Sequence, residues 1–308
     1  MTLAFANNKM PPVRALLVLC ILLGHFSFYG VPALGALRSI APPAVAMFLF
    51  ISGYGLTRSV RAKGAAYLQG FFTHRVFRIV LPALLVVLLH LLLGGGSGVR
   101  FFERARAIAT QGQTLLPHYW FVWAILFDYL LFWLCRKFLP EKAANWGILA
   151  GVVLFTAGTA LAGFDRCWWV CALAFPTGAF FAEHEEALFA FCCRKECNYW
   201  LTLLACGAAF AALYLTGKPA CWTLCYIFTS VIAALVIARI PLDRWRLPVL
   251  RWIGVISYEL YLVHIPVMVF LQKSAPDLSQ VLFVAVTLAV SVLAAFAIRL
   301  LCQLITHR

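Results

Sequence analysis

Long apolar stretches bounded by charged residues, proline and glycine are the feature that most constrains what this chain can fold into. They follow one another through most of its 308 residues, of which 64% are hydrophobic and only 12% are charged. Soluble domains are roughly 45–50% apolar and about 25% charged. A run of about 20 apolar residues is long enough to cross a bilayer as a helix. The sequence therefore predicts an integral membrane protein, and it excludes a soluble globular domain, a disordered chain and a nucleic-acid-binding domain.

The positions of these stretches predict an all-α membrane protein with about ten transmembrane helices, organised as a single polytopic domain over residues 1–308. The predicted spans are Val13–Val31, Pro43–Leu56, Ile79–Leu93, Pro117–Leu134, Asn145–Ala162, Cys167–Ala182, Tyr199–Thr216, Cys221–Ile240, Ile253–Leu271 and Val281–Ile305. The second span is short and has Pro42-Pro43 at its start and Gly53-Tyr54-Gly55 at its end, so we expect it to be broken rather than straight.

The distribution of basic residues predicts the orientation of the chain. If the N-terminus is cytoplasmic, eighteen of the 25 Lys and Arg residues fall in the inner segments. Cytoplasmic loops of membrane proteins carry an excess of these residues. We therefore expect both termini in the cytoplasm and a multi-pass protein of the inner (cytoplasmic) membrane. The net charge of +14 is explained by this asymmetry, and no nucleic-acid partner is expected.

Three histidines in the predicted spans lie at a similar depth. His25, His90 and His264 follow inner arginines by eleven to thirteen residues, which places each about 16–20 Å from the inner charges. Ionisable groups in a bilayer are costly and often functional. One interpretation is a polar pocket with a general base or proton relay, and it is favoured for His25. The other is separate histidines bonded to neighbouring helices, which is favoured for His90 and stays open for His264.

Two carboxylates also fall in predicted spans. Asp128 is in the middle of the fourth span, where it would orient a histidine, bind a substrate hydroxyl or form a structural pair with a buried Arg or Tyr. Glu259 is in the inner half of its span, and a pair near the interface and a functional role are both open.

The segment after the second span is the most basic of the inner segments, with Arg58, Arg61, Lys63, Arg75 and Arg78 among aromatic residues. One interpretation is an amphipathic segment that contacts lipid headgroups. The other is a phosphate-binding site, because a helix places Arg75 and Arg78 on one face and guanidinium groups suit phosphate.

Two further groups of residues give weaker signals. Cys192, Cys193, Cys197 and His184 fit no metal-ligand spacing, so no metal is expected. Trp120 is typical of the interfacial aromatic belt, with stacking on a sugar ring as the alternative.

Five sequence blocks, in order along most of the chain, resemble the motifs of the acyltransferase 3 family of integral membrane acyltransferases. The blocks are RALLVLCILLGH (Arg14–His25), FLFISGYGL (Phe48–Leu56), RVFRIVLP (Arg75–Pro82), HYWFVWAILFDYLLFW (His118–Trp133) and ISYELYLVH (Ile256–His264). Each block is degenerate alone, and the ordered set is specific. Many family members carry two Glu residues where this chain has Ile125 and Leu126, and this departure leaves the acceptor open.

The resemblance implies a ten-helix enzyme that moves an acyl group, most often acetyl, from cytoplasmic acetyl-CoA or another acyl-CoA to a hydroxyl of an envelope or exported carbohydrate or glycolipid. By motif, Arg14 and His25 would be catalytic, with His25 as base or acyl carrier. Arg75 and Arg78, and with them Arg58, would bind the donor. The residues expected to bind substrate are Trp120, Asp128, Glu259, Tyr261 and His264.

A transporter, either an exporter of an acylated glycan or a proton-coupled carrier, is the alternative class, because transporters also combine buried His and acidic residues with broken helices. The paired arginines beside the histidine layer favour the enzyme, since a carrier needs no site for CoA phosphates. The expected partners are acyl-CoA, the carbohydrate or glycolipid acceptor, and membrane lipid.

Overall fold

The computed structural model describes residues 9–64, 66–92, 106–107, 110–242, 245 and 247–306. Five of the arginines on which the predicted orientation rests lie outside these residues: Arg100, Arg104, Arg244, Arg246 and Arg308. Within the described residues the secondary structure is helical, with twelve α-helices. They are α1 (Met10–Phe26), α2 (Ala41–Lys63), α3 (Ala66–Gln69), α4 (Phe77–Leu92), α5 (Trp120–Phe138), α6 (Glu141–Leu161), α7 (Ala174–Arg194), α8 (Glu196–Tyr214), α9 (Pro219–Arg239), α10 (Pro248–Val255), α11 (Ser257–Ser274) and α12 (Gln280–Thr306).

Every predicted span coincides with at least one of these helices. Among the described helices, six segments are long and apolar enough to cross a membrane, and the bent pair α10–α11 makes a seventh. Helices α1 and α4 are apolar but shorter. The prediction of an all-helical, multi-pass membrane protein is confirmed.

Three details of the predicted spans differ from the structure. The second span is one continuous helix, α2, because Gly53 serves a close helix contact rather than a break. The sixth begins at Ala174 instead of Cys167, and Pro176 lies in its first turn, where a proline costs no helical hydrogen bond. The ninth is divided by a 76° bend between α10 and α11, where Ile256 adopts φ −100° and ψ 12°.

The chain forms two compact units. The first unit consists mainly of Val45–Thr73 and Ala124–Arg246, and the second of Met10–Ala44, His74–Trp123 and Leu247–Arg308. Within the first unit, α7 contacts α6, α8 and α9. Within the second unit, α1 packs against α10 and α11, and α4 packs against α11 and α12. The single domain expected over residues 1–308 stays a prediction.

A pair of glycines sets the distance between α2 and α7 in the first unit. A Cβ atom at Gly53 would overlap the carbonyl oxygen of Phe175, and one at Gly178 would overlap that of Phe50. Small residues let helix backbones approach closely in membrane proteins. The Ser-Gly pair of the second span therefore has a packing role in this fold.

Candidate active site

His25 occupies the last turn of α1, which other residues of the second unit hold in place. The helix ends at Phe26, and the following hydroxyl of Ser27 lies within hydrogen-bonding distance of Arg38. The guanidinium of Arg38 donates to Ser27 Oγ at 2.8 Å and to the Ser27 carbonyl oxygen at 3.1 Å. A cation at a helix C-terminus also interacts favourably with the helix dipole. Arg38, which the sequence alone did not single out, thus fixes the end of the helix that carries His25.

The side chain of His25 meets that of His264 from α11. The distance from His25 Nδ1 to His264 Nε2 is 2.7 Å, and the two ring planes are parallel. His264 has no exposed surface, whereas His25 is partly exposed. The two residues are 239 positions apart in the sequence, and the depth estimated from the inner arginines had placed them in one layer. Their contact agrees with the predicted common level, and their depth in a membrane stays a prediction.

A third ring, His118, packs beside His264, whereas His90 was the histidine for which a separate bond to a neighbouring helix was favoured. The centroids of the His118 and His264 rings are 5.2 Å apart, and His118 Nε2 is 3.0 Å from the carbonyl oxygen of Leu262. Pro266, inside α11, has no N–H to donate to that carbonyl, which lies four residues earlier. His118 supplies the hydrogen bond that the proline removes, and this joins the segment before α5 to α11.

Tyr261 links the same groups a second time. Its hydroxyl donates to the backbone carbonyl of His118 at 2.5 Å, and its own backbone carbonyl oxygen is 2.6 Å from His264 Nδ1. The rings of His118 and Tyr261 pack edge to face. The sequence assigned Tyr261 to the substrate. In the structure its hydroxyl is used within the protein, and substrate contact stays a prediction.

The arginines expected at the donor end are spread over several elements. Arg14 is exposed on α1, about 16 Å before His25 along the helix axis. Arg75 is partly buried in a five-residue π-helix, and Arg78 is exposed in the first turn of α4. The change from π to α geometry lies between Arg75 and Arg78, so the one-face argument for a regular α-helix does not apply there. π-helical turns occur frequently at functional sites.

Comparison with known families decides the class of this protein. A family model described as an acyltransferase domain matches residues 13–300. The chain belongs to the acyltransferase 3 family. No curated protein and no solved structure matches it. The chain is therefore a membrane acyltransferase, with an acyl donor and an acceptor as its substrates.

The matched region of this acyltransferase 3 family member includes Tyr261, the paired arginines Arg75 and Arg78, and the histidines His25, His118 and His264. His118 was missed as a buried ionisable group because it lies at the start of its predicted span, two residues before Trp120. The signal in the sequence was Pro266, two residues after His264. Because a proline has no N–H, the carbonyl of Leu262 lacks its helical donor and needs one from elsewhere in the protein.

The structure also shows the surroundings of three other residues expected to bind substrate. Glu259 is buried on α11 and forms a 3.4 Å ion pair with Arg299 of α12, whose guanidinium also donates to the Val255 carbonyl oxygen. This is the pair that the sequence had left open. Asp128, 3% exposed, lies on α5 in the first unit. Trp120, in the second unit, is partly exposed and packs edge to face with Phe121. Their roles toward substrate stay predictions.

Arg58 belongs to the first unit and has a carboxylate partner. Its Nη1 atom is 2.8 Å from Glu185 Oε1 and 3.1 Å from the hydroxyl of Tyr54, which itself donates to Glu185 at 2.6 Å. The carboxylate of Glu185 is buried, while about half of the Arg58 side chain is exposed. This pair joins α2 to α7. Donor binding by Arg58 stays a prediction.

Proposed function

We propose that this acyltransferase transfers acetyl from acetyl-CoA to a hydroxyl of a cell-envelope or exported carbohydrate or glycolipid. The observation that carries the proposal is the histidine pair: a partly exposed imidazole, His25, is hydrogen-bonded to a fully buried one, His264. An imidazole held in this way is suited to proton transfer at a reacting hydroxyl. The family match supplies the acyl-transfer chemistry, and the pair supplies a group able to perform it.

In the proposed reaction, His25 takes the proton of the acceptor hydroxyl while the hydroxyl oxygen attacks the thioester carbonyl. A C–O ester bond forms, the C–S bond breaks, and the proton passes from His25 to the leaving CoA thiolate. A second route has the imidazole accept the acetyl group and then pass it to the hydroxyl. Both routes need one ring nitrogen of His25 that is not engaged with His264.

The donor is proposed to enter from the cytoplasm, where Arg75 and Arg78 would bind its phosphates. Guanidinium groups pair with phosphate oxygens through two parallel hydrogen bonds. The excess of Lys and Arg in the segments assigned to the inner face supports cytoplasmic termini. The proposed location is the inner membrane. In this orientation the donor side and His25 are separated by much of the length of α1, which the pantetheine arm of CoA would cover.

Oriented membrane vesicles test the function and the orientation together. Inside-out vesicles that contain the protein, supplied externally with [14C]acetyl-CoA, are expected to incorporate label into envelope glycan. Right-side-out vesicles, whose cytoplasmic face is enclosed, are expected to incorporate little, because CoA does not cross the bilayer. Vesicles without the protein are the control. No label in either orientation, with folded protein present, contradicts acetyl transfer from acetyl-CoA.

The 76° break before α11 is the observation that favours the alternative of an exporter, since broken helices line transport sites. An exporter would move a pre-acetylated glycan across the membrane in the absence of any acyl-CoA. Efflux of such a glycan from vesicles without donor would support that function instead of transfer.

The paired arginines give a prediction for donor binding. Arg75→Ala combined with Arg78→Ala is expected to weaken acetyl-CoA binding by at least about 100-fold, because hydrogen bonds to charged groups contribute about 1.5–3 kcal/mol each and at least two are lost. Equilibrium binding of labelled acetyl-CoA to purified protein measures the effect. The matched control is Arg194→Ala with Lys195→Ala, which removes two exposed charges at the end of α7. Equal affinities of the two double variants would exclude a donor site at Arg75 and Arg78.

A further inference from the structure

We infer that His264 is a positioning residue: it fixes which nitrogen of His25 carries the proton and leaves His25 Nε2 as the reactive atom. This inference rests on the proposed acyl transfer. It concerns a residue that has no exposed surface and so acts on the substrate only through His25. A chain of hydrogen bonds that begins at the backbone of α11 determines the position of this proton.

The first step is the backbone carbonyl of Tyr261. Its oxygen is 2.6 Å from His264 Nδ1, and a carbonyl oxygen only accepts hydrogen bonds. The proton in this contact must therefore be on Nδ1. A second proton on Nε2 would make His264 a fully buried cation, and an unpaired charge costs far more to bury than a neutral ring. His264 is accordingly neutral, with its proton on Nδ1 and a lone pair on Nε2.

The second step transfers this constraint to His25. The lone pair of His264 Nε2 accepts, so His25 Nδ1, at 2.7 Å, has to donate. A neutral His25 with its proton on Nδ1 carries its other lone pair on Nε2. His25 is the more exposed of the two rings, so this lone pair belongs to the ring that substrate can reach. A base or a nucleophile needs such a lone pair, and the opposite tautomer would turn the same atom into a donor.

Contacts from outside α11 hold this chain of hydrogen bonds in place. Pro266 removes a helical donor from α11, and His118 bonds to the Leu262 carbonyl in its place. The hydroxyl of Tyr261 then ties the backbone of His118 to the same turn. The turn that carries the Tyr261 carbonyl is thus held from outside the helix, so the acceptor for His264 keeps its place. No step of this arrangement requires His264 to touch substrate.

Variants of His264 test the inference through a separation of kcat from KM. His264→Leu removes the acceptor for His25 and is expected to lower kcat by about 100-fold while KM for acetyl-CoA is unchanged. His264→Gln places an amide oxygen near the position of Nε2 and is expected to recover most of the lost kcat. Met268→Leu is the matched control, because Met268 is equally buried one turn further along α11 and takes no part in the hydrogen bonds. It is expected to keep the wild-type kcat.

A measurement on the wild-type protein tests the inference without the His264 variants and without activity. In full-length protein labelled with [15N]histidine, the signals lost in His25→Gln identify His25. The expected spectrum has a protonated Nδ1 and an unprotonated Nε2 in His25. A spectrum with the proton on Nε2 would overturn the inference, as would a His264→Leu protein that turns over as fast as Met268→Leu. Absence of acetyl transfer by wild type would instead overturn the proposed function, while the spectrum would still decide the tautomer.

Discussion

Membranes that carry His25→Gln are expected to transfer acetyl at least ~1000-fold more slowly than wild-type membranes. The glutamine amide is still able to donate a hydrogen bond to His264 Nε2, so the buried partner keeps its bond. It is not able to take a proton from a hydroxyl or to carry an acyl group, so both proposed routes are blocked. Initial rates of [14C]acetyl incorporation at equal amounts of folded protein measure the loss.

The control for this variant is His90→Gln. His90 is partly exposed on α4 in the same unit, and the proposed reaction does not use it. Its variant is expected to keep the wild-type rate. Acetyl-CoA binding by His25→Gln should also be unchanged, because the proposed donor contacts lie at Arg75 and Arg78. A folded His25→Gln protein that turns over normally would remove His25 from the reaction.

Replacement of Gly53 by alanine is expected to destabilise the protein by about 3 kcal/mol, at the upper end of the usual cost of overpacking. The added Cβ would overlap the carbonyl oxygen of Phe175, and a backbone atom does not move aside as a flexible side chain does. For a chain of this size the loss corresponds to a fall in melting temperature of roughly 5 °C. Thermal unfolding in detergent, followed by size-exclusion chromatography, measures it.

Gly55→Ala is the matched control, since Gly55 lies two residues further along α2 and a Cβ there has open space around it. Its melting temperature is expected to equal or slightly exceed that of wild type, because alanine favours the helix more than glycine does. A similar melting temperature for Gly53→Ala and Gly55→Ala would show that the approach of α2 to α7 does not depend on Gly53.

The helices were predictable because the bilayer sets both the length and the composition of a span. Breaks and bends within a helix were not predictable in this way, because they depend on contacts with neighbouring helices. Composition does not distinguish a glycine that breaks α2 from one that lets α7 approach it. Likewise, the bend at Ile256 interrupts an apolar run that continues on both sides, so hydropathy alone does not reveal it.

At the candidate site, too, features set by one helix were predictable, and features set by contacts between helices were not. Counting residues from the arginines placed His25 and His264 at one level, and their rings are in contact, because the rise per residue is constant along a helix. It did not identify His118, whose position depends on the carbonyl that Pro266 leaves without a helical donor. Nor did it decide whether Glu259 meets substrate or a partner, since Arg299 lies 40 residues away in the sequence.

The contact between His25 and His264 also determines when the histidine pair can form during biosynthesis. The ring of His25 is made first, and its partner follows 239 residues later. At about 5–20 residues per second, the ribosome takes roughly 10–50 s to produce the second ring after the first. Throughout that interval α1 is in the membrane without the helix that completes its hydrogen bond. The histidine pair therefore forms only after α11 has been made, and a nascent chain halted before α11 contains His25 without its hydrogen-bond partner.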